Sequence, residues 1–170
     1  FRRRGSSAEI TSGTTFSGGG LVEEGLRGIT NPMFSLEYDS AIAAVHDKAH
    51  GGQTVVVDIR KSDGNLDQIA GQYHHHTSPP CVVASKLRAY PSEVSQADEL
   101  AFGRIIADAI RKYRNPVFTL ENVDDYKDTE AYRLIAEALD DVGYTHDAWD
   151  KNVYVAADYG APTTRRRLMV

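Results

Sequence analysis

The sequence predicts an α/β fold in which helices cover both faces of a mostly parallel sheet. Short runs rich in β-branched residues alternate with longer amphipathic runs along the 170 residues, which is the pattern of strands joined by helical crossovers. A glycine turn at residues 17–20 follows the first run, and acidic residues end three later ones, at Glu37, Asp58 and Glu121. Because carboxyl ends of parallel strands share one sheet edge, we expect a ligand site there.

The composition fits one globular domain, since 41% of the residues are hydrophobic and 25% are charged. We expect residues 1–7 to form a flexible basic segment and residues 8–170 to form the domain. One cysteine excludes an internal disulfide, and no apolar run is long enough to span a membrane. These features, with no visible secretory signal, predict an intracellular protein of the cytoplasm or nucleus.

The charge distribution limits the partners. A net charge of −5 argues against a protein that binds nucleic acid over its whole surface. Basic residues nevertheless cluster at Arg2-Arg3-Arg4 and at Arg165-Arg166-Arg167, so the sequence is compatible with a local basic patch that contacts nucleic acid.

The first predicted strand, residues 9–16, leads through Ser17-Gly18-Gly19-Gly20 into a short helix from Leu21. Glycines let a ligand approach the backbone, and a helix N-terminus favours an anion. The alternative is that this turn is a plain connector.

Two further strands, 32–36 and 54–57, end at Glu37 and Asp58, and a helix is predicted between them at 40–50. A carboxylate in the position of Glu37 is suited to accept hydrogen bonds from ribose hydroxyls. The alternative at this strand end is capping of the helix by Asp39 or Ser40.

The fourth strand, residues 72–77, leads to Ser78-Pro79-Pro80-Cys81. Two prolines hold the chain in a stiff turn, which would fix the direction of the thiol as a nucleophile. The alternative is that Cys81 is a small buried hydrophobe. The aperiodic residues 82–94 are predicted to be a loop that closes over the site.

The remaining chain continues the alternation. A helix is predicted from 95 to the Asn115-Pro116 break, a strand at 117–120 before Glu121-Asn122-Val123, and a helix at 128–141. Extended segments at 144–149 and 152–157 and a polar loop at 158–167 precede an apolar end.

In their order and spacing, six short blocks of this chain resemble the DNA (cytosine-5)-methyltransferase family. The blocks are Phe16-Ser17-Gly18-Gly19-Gly20, Glu37-Tyr38-Asp39, Asp58-Ile59, Ser78-Pro79-Pro80-Cys81, Glu121-Asn122-Val123 and Tyr159-Gly160-Ala161-Pro162 with Arg165 and Arg167. The resemblance implies a Rossmann-like fold that takes a methyl group from S-adenosylmethionine and transfers it to carbon 5 of cytosine in duplex DNA.

The resemblance also implies roles for individual residues. Those expected at the donor site are Phe16, Ser17, Gly18, Gly19, Gly20, Glu37, Tyr38, Asp58, Ile59 and Pro79. Those expected in catalysis are Cys81 as nucleophile, Glu121 at ring nitrogen 3, Arg167 on the carbonyl oxygen of the base, Arg165 in support of Glu121 or of its loop, and Pro80 and Asn122. The target base would have to leave the helix to reach Cys81. The alternative for the two arginines is a surface patch that binds phosphate or carboxylate.

This chain also departs from the family pattern. Val82 and Thr163 stand where the family usually has glutamine. The family's target-recognition region and closing segment are not found in the sequence, so we expect them from a missing C-terminal region or a second chain. The alternative function is a non-catalytic or split-enzyme subunit that keeps the fold and needs a partner for DNA recognition.

Three consecutive histidines, His74-His75-His76, raise the question of a metal site. Neighbours on a strand point to opposite faces, so only His74 and His76 could share a ligand, and no cysteine or acid is spaced to complete the set. We expect no bound metal.

Overall fold

A computed structural model describes residues 10–52, 54–61, 66–81, 95–145 and 152–170. The predicted flexible segment at 1–7 and the predicted closing loop at 82–94 lie outside these residues. Most of the extended segment expected at 144–149 also lies outside them.

The described chain forms one seven-stranded sheet in the order β3-β2-β1-β4-β5-β7-β6. The strands are β1 (Thr11–Thr15), β2 (Asn31–Glu37), β3 (Thr54–Val56), β4 (His74–Thr77), β5 (Val117–Asn122), β6 (Val153–Val155) and β7 (Arg166–Met169). All neighbouring strands are parallel except that β7 is antiparallel to β5 and β6. The prediction of a mostly parallel sheet is confirmed, and its strand order reverses between β1 and β4, where open α/β sheets bind ligands.

In the described ranges four α-helices accompany the sheet: α1 (Leu21–Gly25), α2 (Ser40–His50), α3 (Gln96–Tyr113) and α4 (Glu130–Asp141). The helix predicted from residue 128 starts two residues later, because Asp124–Asp128 forms a 3₁₀ turn and Thr129 caps α4 through the N–H of Tyr132. The strand predicted at 152–157 is shorter, because Ala156–Tyr159 forms another 3₁₀ turn.

Helices lie on both faces of the sheet, as the sequence predicts. Leu36 of β2 belongs to an apolar cluster with Phe102 of α3. Its neighbour Ser35 donates a hydrogen bond to Glu23 of α1 at 2.9 Å. Because consecutive strand residues point to opposite faces, α1 and α3 lie on opposite sides of β2.

The largest core cluster joins α3 and α4 to β5 and β7. Its buried members include Ile106, Ile110, Leu120, Ile135, Leu139 and Leu168. The two helices approach closely at Gly103, where an added Cβ would lie 2.7 Å from the Cα of Ala131. This packing fixes the end of β5, where Glu121 lies.

Within the part of the chain that the structure describes, no helix combines the length and the apolar character needed to cross a membrane.

Candidate active site

The turn that carries Cys81 is fastened to the end of β5 by two side chains. Ser78 donates from Oγ to Oε2 of Glu121 at 2.6 Å. Asn122 donates from Nδ2 to the carbonyl of Pro79 at 2.9 Å and accepts from the N–H of Val123 at 2.8 Å. The pairing of Thr77 with Leu120 in the parallel sheet brings these residues opposite each other. The structure thus brings the proline turn and the Glu-Asn-Val block together.

Cys81 is half-buried and packs against the core cluster of α3 and α4. Burial raises the pKa of the fully buried Tyr126, and the nearby Glu99 and Cys81 raise it further. Cys81 therefore lies near the interior as well as at the carboxyl edge of the sheet, and packing holds it in addition to the two prolines.

Arg167 is the ion-pair partner of Glu121, with Nε 2.7 Å from Oε1. Our expectation assigned the support of Glu121, or of its loop, to Arg165 and placed both arginines in a loop. In the structure the contact to Glu121 comes from Arg167, because β7 begins at Arg166 and Arg167 lies on the strand that pairs with β5. Arg165 lies before the strand and is exposed, and its N–H donates to Oγ1 of Thr163 at 3.3 Å within the loop.

The glycine turn is held by Glu37. The carboxylate accepts the N–H of Gly18 at 2.9 Å through Oε2 and those of Tyr38 and Asp39 at 2.7 and 3.0 Å through Oε1. A carboxylate has about four acceptor positions, so these bonds leave one position on Oε2 among the described contacts. The capping alternative is also found in the structure. The capping residue is Asp39, which accepts the N–H of Ala41 and of Ile42.

The backbone of the turn supports a close approach by a ligand. Gly18 and Gly20 have φ of +55° and +86°, a region that favours glycine. A Cβ on Gly18 or Gly19 would meet no atom within 4 Å. Ser17 beside them has a buried Oγ with no hydrogen-bond partner among the described residues.

A cleft of about 280 Å³ opens beside this turn. It is lined by Phe16, Leu36, Glu37, Tyr38, Val57, Asp58, Ile59, Arg60, Ser78, Pro80 and Phe102. Phe16 has φ of +57°, a strained value for a bulky residue, and its ring meets that of Phe102 edge to face at 5.1 Å. Apolar walls with a few acidic groups suit a nucleoside.

The two prolines have different contacts. Pro80, expected in catalysis, lines the cleft. Pro79, expected at the donor site, is buried and uses its carbonyl to bind Asn122.

Asp58 is engaged by its neighbour Arg60. Nε and Nη2 of Arg60 donate to Oδ1 and Oδ2 of Asp58 at 2.8 and 2.9 Å. The hydrogen bonds from Arg60 hold the pKa of Asp58 below its usual value, so the carboxylate is an acceptor at neutral pH.

The three histidines of β4 are buried within the sheet. His74 and His76 both contact Oγ1 of Thr119 at 2.8 Å, whereas His75 lies edge to face with the ring of Phe118. Burial lowers the pKa of His76 to about 4. No group of three or more His, Cys, Asp or Glu side chains in the described ranges is arranged to hold a metal ion.

Three residues of this site were not found from the sequence as individual contributors. Ser78 stands in the sequence only as part of the proline motif, because a serine 43 residues before a strand-end acid gives no signal that the two side chains are in contact. Phe102 lies on α3, away from the strand ends at which the sequence predicts the site. Arg60 could have been noticed, because it follows the strand-end Asp58 by two residues.

A family model described as C-5 cytosine-specific DNA methylase matches residues 10–170 of the chain. Among curated proteins, no sequence matches significantly.

Several solved structures share the fold. The Dnmt2 methyltransferase of S. pombe is 16% identical with a TM-score of 0.69, and the match covers 95% of this chain and 48% of that one. A putative DNA modification methyltransferase encoded within an E. coli prophage is 21% identical with a TM-score of 0.65, over 95% of this chain and 45% of that one. The Entamoeba histolytica methyltransferase EhMeth is 14% identical with a TM-score of 0.61, over 96% and 52%. The chain thus spans about half the length of these structures.

Proposed function

The chain belongs to the C-5 cytosine-specific DNA methylase family, and on that premise we propose that it transfers a methyl group from S-adenosylmethionine to carbon 5 of cytosine in duplex DNA through a covalent adduct with Cys81. The observation that carries the proposal is the fastening of the Cys81 turn to Glu121 and Asn122. A nucleophile and an acid on neighbouring parallel strands can converge on one bound base, the thiolate at carbon 6 and the carboxyl group at ring nitrogen 3.

The role of Cys81 follows from the chemistry of cytosine, whose carbon 5 is a weak nucleophile. The thiolate adds to carbon 6, and the electron pair of the 5,6 double bond then forms the new bond from carbon 5 to the methyl carbon. S-adenosylmethionine, when bound, would supply this methyl group from its sulfonium sulfur. The sulfur keeps the electron pair of the broken bond, so the product is S-adenosylhomocysteine. Loss of the carbon 5 proton to a base expels the Cys81 thiolate and restores the ring.

Glu121 would stabilise the adduct by donating or sharing a proton at ring nitrogen 3. Its carboxyl group has a hydroxyl donor, Ser78, on one oxygen and a guanidinium, Arg167, on the other. Such partners fix a side chain in one orientation, which is what acid–base catalysis at a defined atom requires. Arg167, whose Nε binds Glu121, would also hold the carbonyl oxygen of the base, and the exposed Arg165 would support the loop or meet a phosphate.

The residues present fit the methyl donor. The cleft beside the glycine turn offers apolar walls for a nucleoside, one acceptor position on Glu37 for a hydroxyl, and a carboxylate at Asp58 for an amine. Gly18 and Gly19 leave open space over the turn for the amino-acid part of the donor.

The DNA partner is also part of the proposal. Cys81 is half-buried at the sheet edge, so a target base must flip out of its helix to reach it. We further propose that residues 8–170 form the catalytic region and that residues outside this chain, in a further region or a second chain, recognise the target sequence.

Nucleoside mass spectrometry of duplex DNA after incubation with S-adenosylmethionine and the protein tests this function. We expect 5-methylcytosine, and we expect none with the Cys81→Ser variant. Methylation on an exocyclic nitrogen, or equal yields from the two proteins, would contradict the proposal.

A further inference from the structure

Arg60 joins two acids that lie on different elements. Its Nε and Nη2 bind both oxygens of Asp58 after β3, and its Nη1 donates to Oδ1 of Asp98 in the first turn of α3 at 2.9 Å. Asp58 and Arg60 both line the donor cleft. The guanidinium therefore fixes one wall of that cleft against a helix.

The position of Arg60 is set by contacts that do not depend on Asp58. Asp98 closes a capping box, accepting the N–H and the hydroxyl of Ser95 on Oδ2 at 2.9 and 2.8 Å. Its other oxygen is thereby turned toward Arg60. The Cζ of Arg60 also lies 5.7 Å from the ring centroids of both Tyr38 and Phe102, within the range of cation–π attraction.

The hydrogen bonds of Asp58, which lines the cleft, leave a single acceptor position among the described contacts. Oδ1 already accepts two N–H groups of Arg60, from the backbone at 3.1 Å and from Nε at 2.8 Å. Oδ2 accepts only Nη2 within hydrogen-bond distance among the described residues, and the exposed Lys61 lies 3.6 Å away. A carboxylate oxygen accepts about two hydrogen bonds, so Oδ2 can receive one more donor.

We propose that Arg60 is a positioning residue that makes the donor cleft select a 6-amino purine over a 6-oxo purine, by holding Asp58 with Oδ2 as an acceptor that faces the purine. The inference rests on the proposed function, because it assumes a purine nucleoside in this cleft. A 6-amino group donates to Oδ2, whereas a 6-oxo group presents a second acceptor and leaves the carboxylate without its hydrogen bond.

Calorimetric binding of two ligands to the 170-residue chain tests this role. The probes are S-adenosylhomocysteine and S-inosylhomocysteine, which differ at position 6 of the purine. The wild-type chain is expected to prefer the adenosine compound by about ten- to a hundredfold, the scale of a hydrogen bond to a charged group. Arg60→Met keeps the length of the side chain and removes its donors. It should lower that preference to within about threefold, mainly by weakening the adenosine compound.

Two variants and one control separate positioning from folding. Arg60→Lys keeps the charge but cannot bind both oxygens of Asp58, so part of the preference should return. Asp98→Asn keeps Arg60 and weakens its anchor, so it should give an intermediate preference even where Arg60→Met fails to fold. Arg111→Met breaks a comparable ion pair, with Asp141, on the same helix and should leave the preference unchanged.

The outcomes distinguish two failures. If the wild-type chain binds neither ligand, the proposed donor site is wrong and this inference falls with it. If the wild-type chain binds both ligands equally, or if Arg60→Met keeps the full preference, the donor site stands and the role of Arg60 is wrong.

Discussion

Ser78 and Glu121 share a hydrogen bond of 2.6 Å across 43 residues of sequence. The bond joins the proline turn after β4 to the carboxyl end of β5. Arg167 of β7 binds the other oxygen of the same carboxylate. Partners from two neighbouring strands thus hold one acid, so its direction is set by the sheet.

The hydroxyl of Ser78 should matter for the rate of adduct formation. Ser78→Ala removes one of the two groups that orient Glu121, and we expect the adduct with 5-fluorocytosine DNA to form about ten- to a hundredfold more slowly than in the wild type. Ser40→Ala, at an exposed position, is the control. Equal rates for Ser78→Ala and wild type would show that Arg167 alone positions the acid.

Asn122 should contribute to stability as well as to the site. Its side chain is buried and bonds both the Pro79 carbonyl and the Val123 N–H. Asn122→Ala leaves these backbone groups without their partner, so the free energy of unfolding should fall by about 1–3 kcal/mol. Urea unfolding measures it, with the exposed Gln68→Ala as control. A loss no larger than that of the control would contradict the role of this bond.

The close contact of α3 and α4 should be sensitive to one methyl group. Gly103→Ala places a Cβ within 2.7 Å of Ala131 Cα, which should lower the free energy of unfolding by about 1–3 kcal/mol through overpacking. Gly25→Ala adds the same group where no atom lies within 4 Å and should stabilise the chain by about 0.4–1 kcal/mol. Equal effects of the two substitutions would refute the packing explanation.

His76 should make stability depend on pH. Burial first, and then the charge of His74, lower the pKa of His76 to about 4, against about 6.5 in an unfolded chain. The unfolded state therefore binds the proton first as pH falls. The contribution is fully present above about pH 6.5 and is lost toward pH 4, by up to about 1.4 kcal/mol per pH unit.

His76→Asn tests this dependence, because an amide can replace the ring Nδ1 that contacts Thr119. The free energy of unfolding of the variant, measured by urea between pH 7 and pH 4.5, should fall less steeply than that of the wild type. His74 and His75 are also shifted downward by burial, so the two slopes are compared with each other. Identical slopes would mean that His76 is not buried in its neutral form.

The sequence predicted the parallel sheet and the edge on which its polar residues meet, because alternating strands and helices leave few topologies. Glu37 and Glu121 lie at the ends of β2 and β5, and Asp58 and Cys81 follow β3 and β4, so the parallel strands bring them to one edge of the sheet. The positions of the strand ends predict at which edge of the sheet the polar side chains lie. They do not predict which side chains contact each other.

The pairings depended on register and on helices. Arg167 rather than Arg165 reaches Glu121 because β7 begins at Arg166, and a run of three arginines gives no boundary. The third contact of Arg60, to Asp98, depends on where α3 begins. Such contacts are long-range, so local pattern carries no information about them.

The covalent role of Cys81 is the central claim, and peptide mapping of a trapped adduct tests it most directly. The protein is incubated with S-adenosylmethionine and duplex DNA that carries 5-fluorocytosine, whose fluorine blocks the final loss of a proton. Digestion and mass spectrometry should find the nucleotide bound to the peptide that contains Cys81, and Cys81→Ser should give no adduct. An adduct at another residue, or one that persists in Cys81→Ser, would contradict the account.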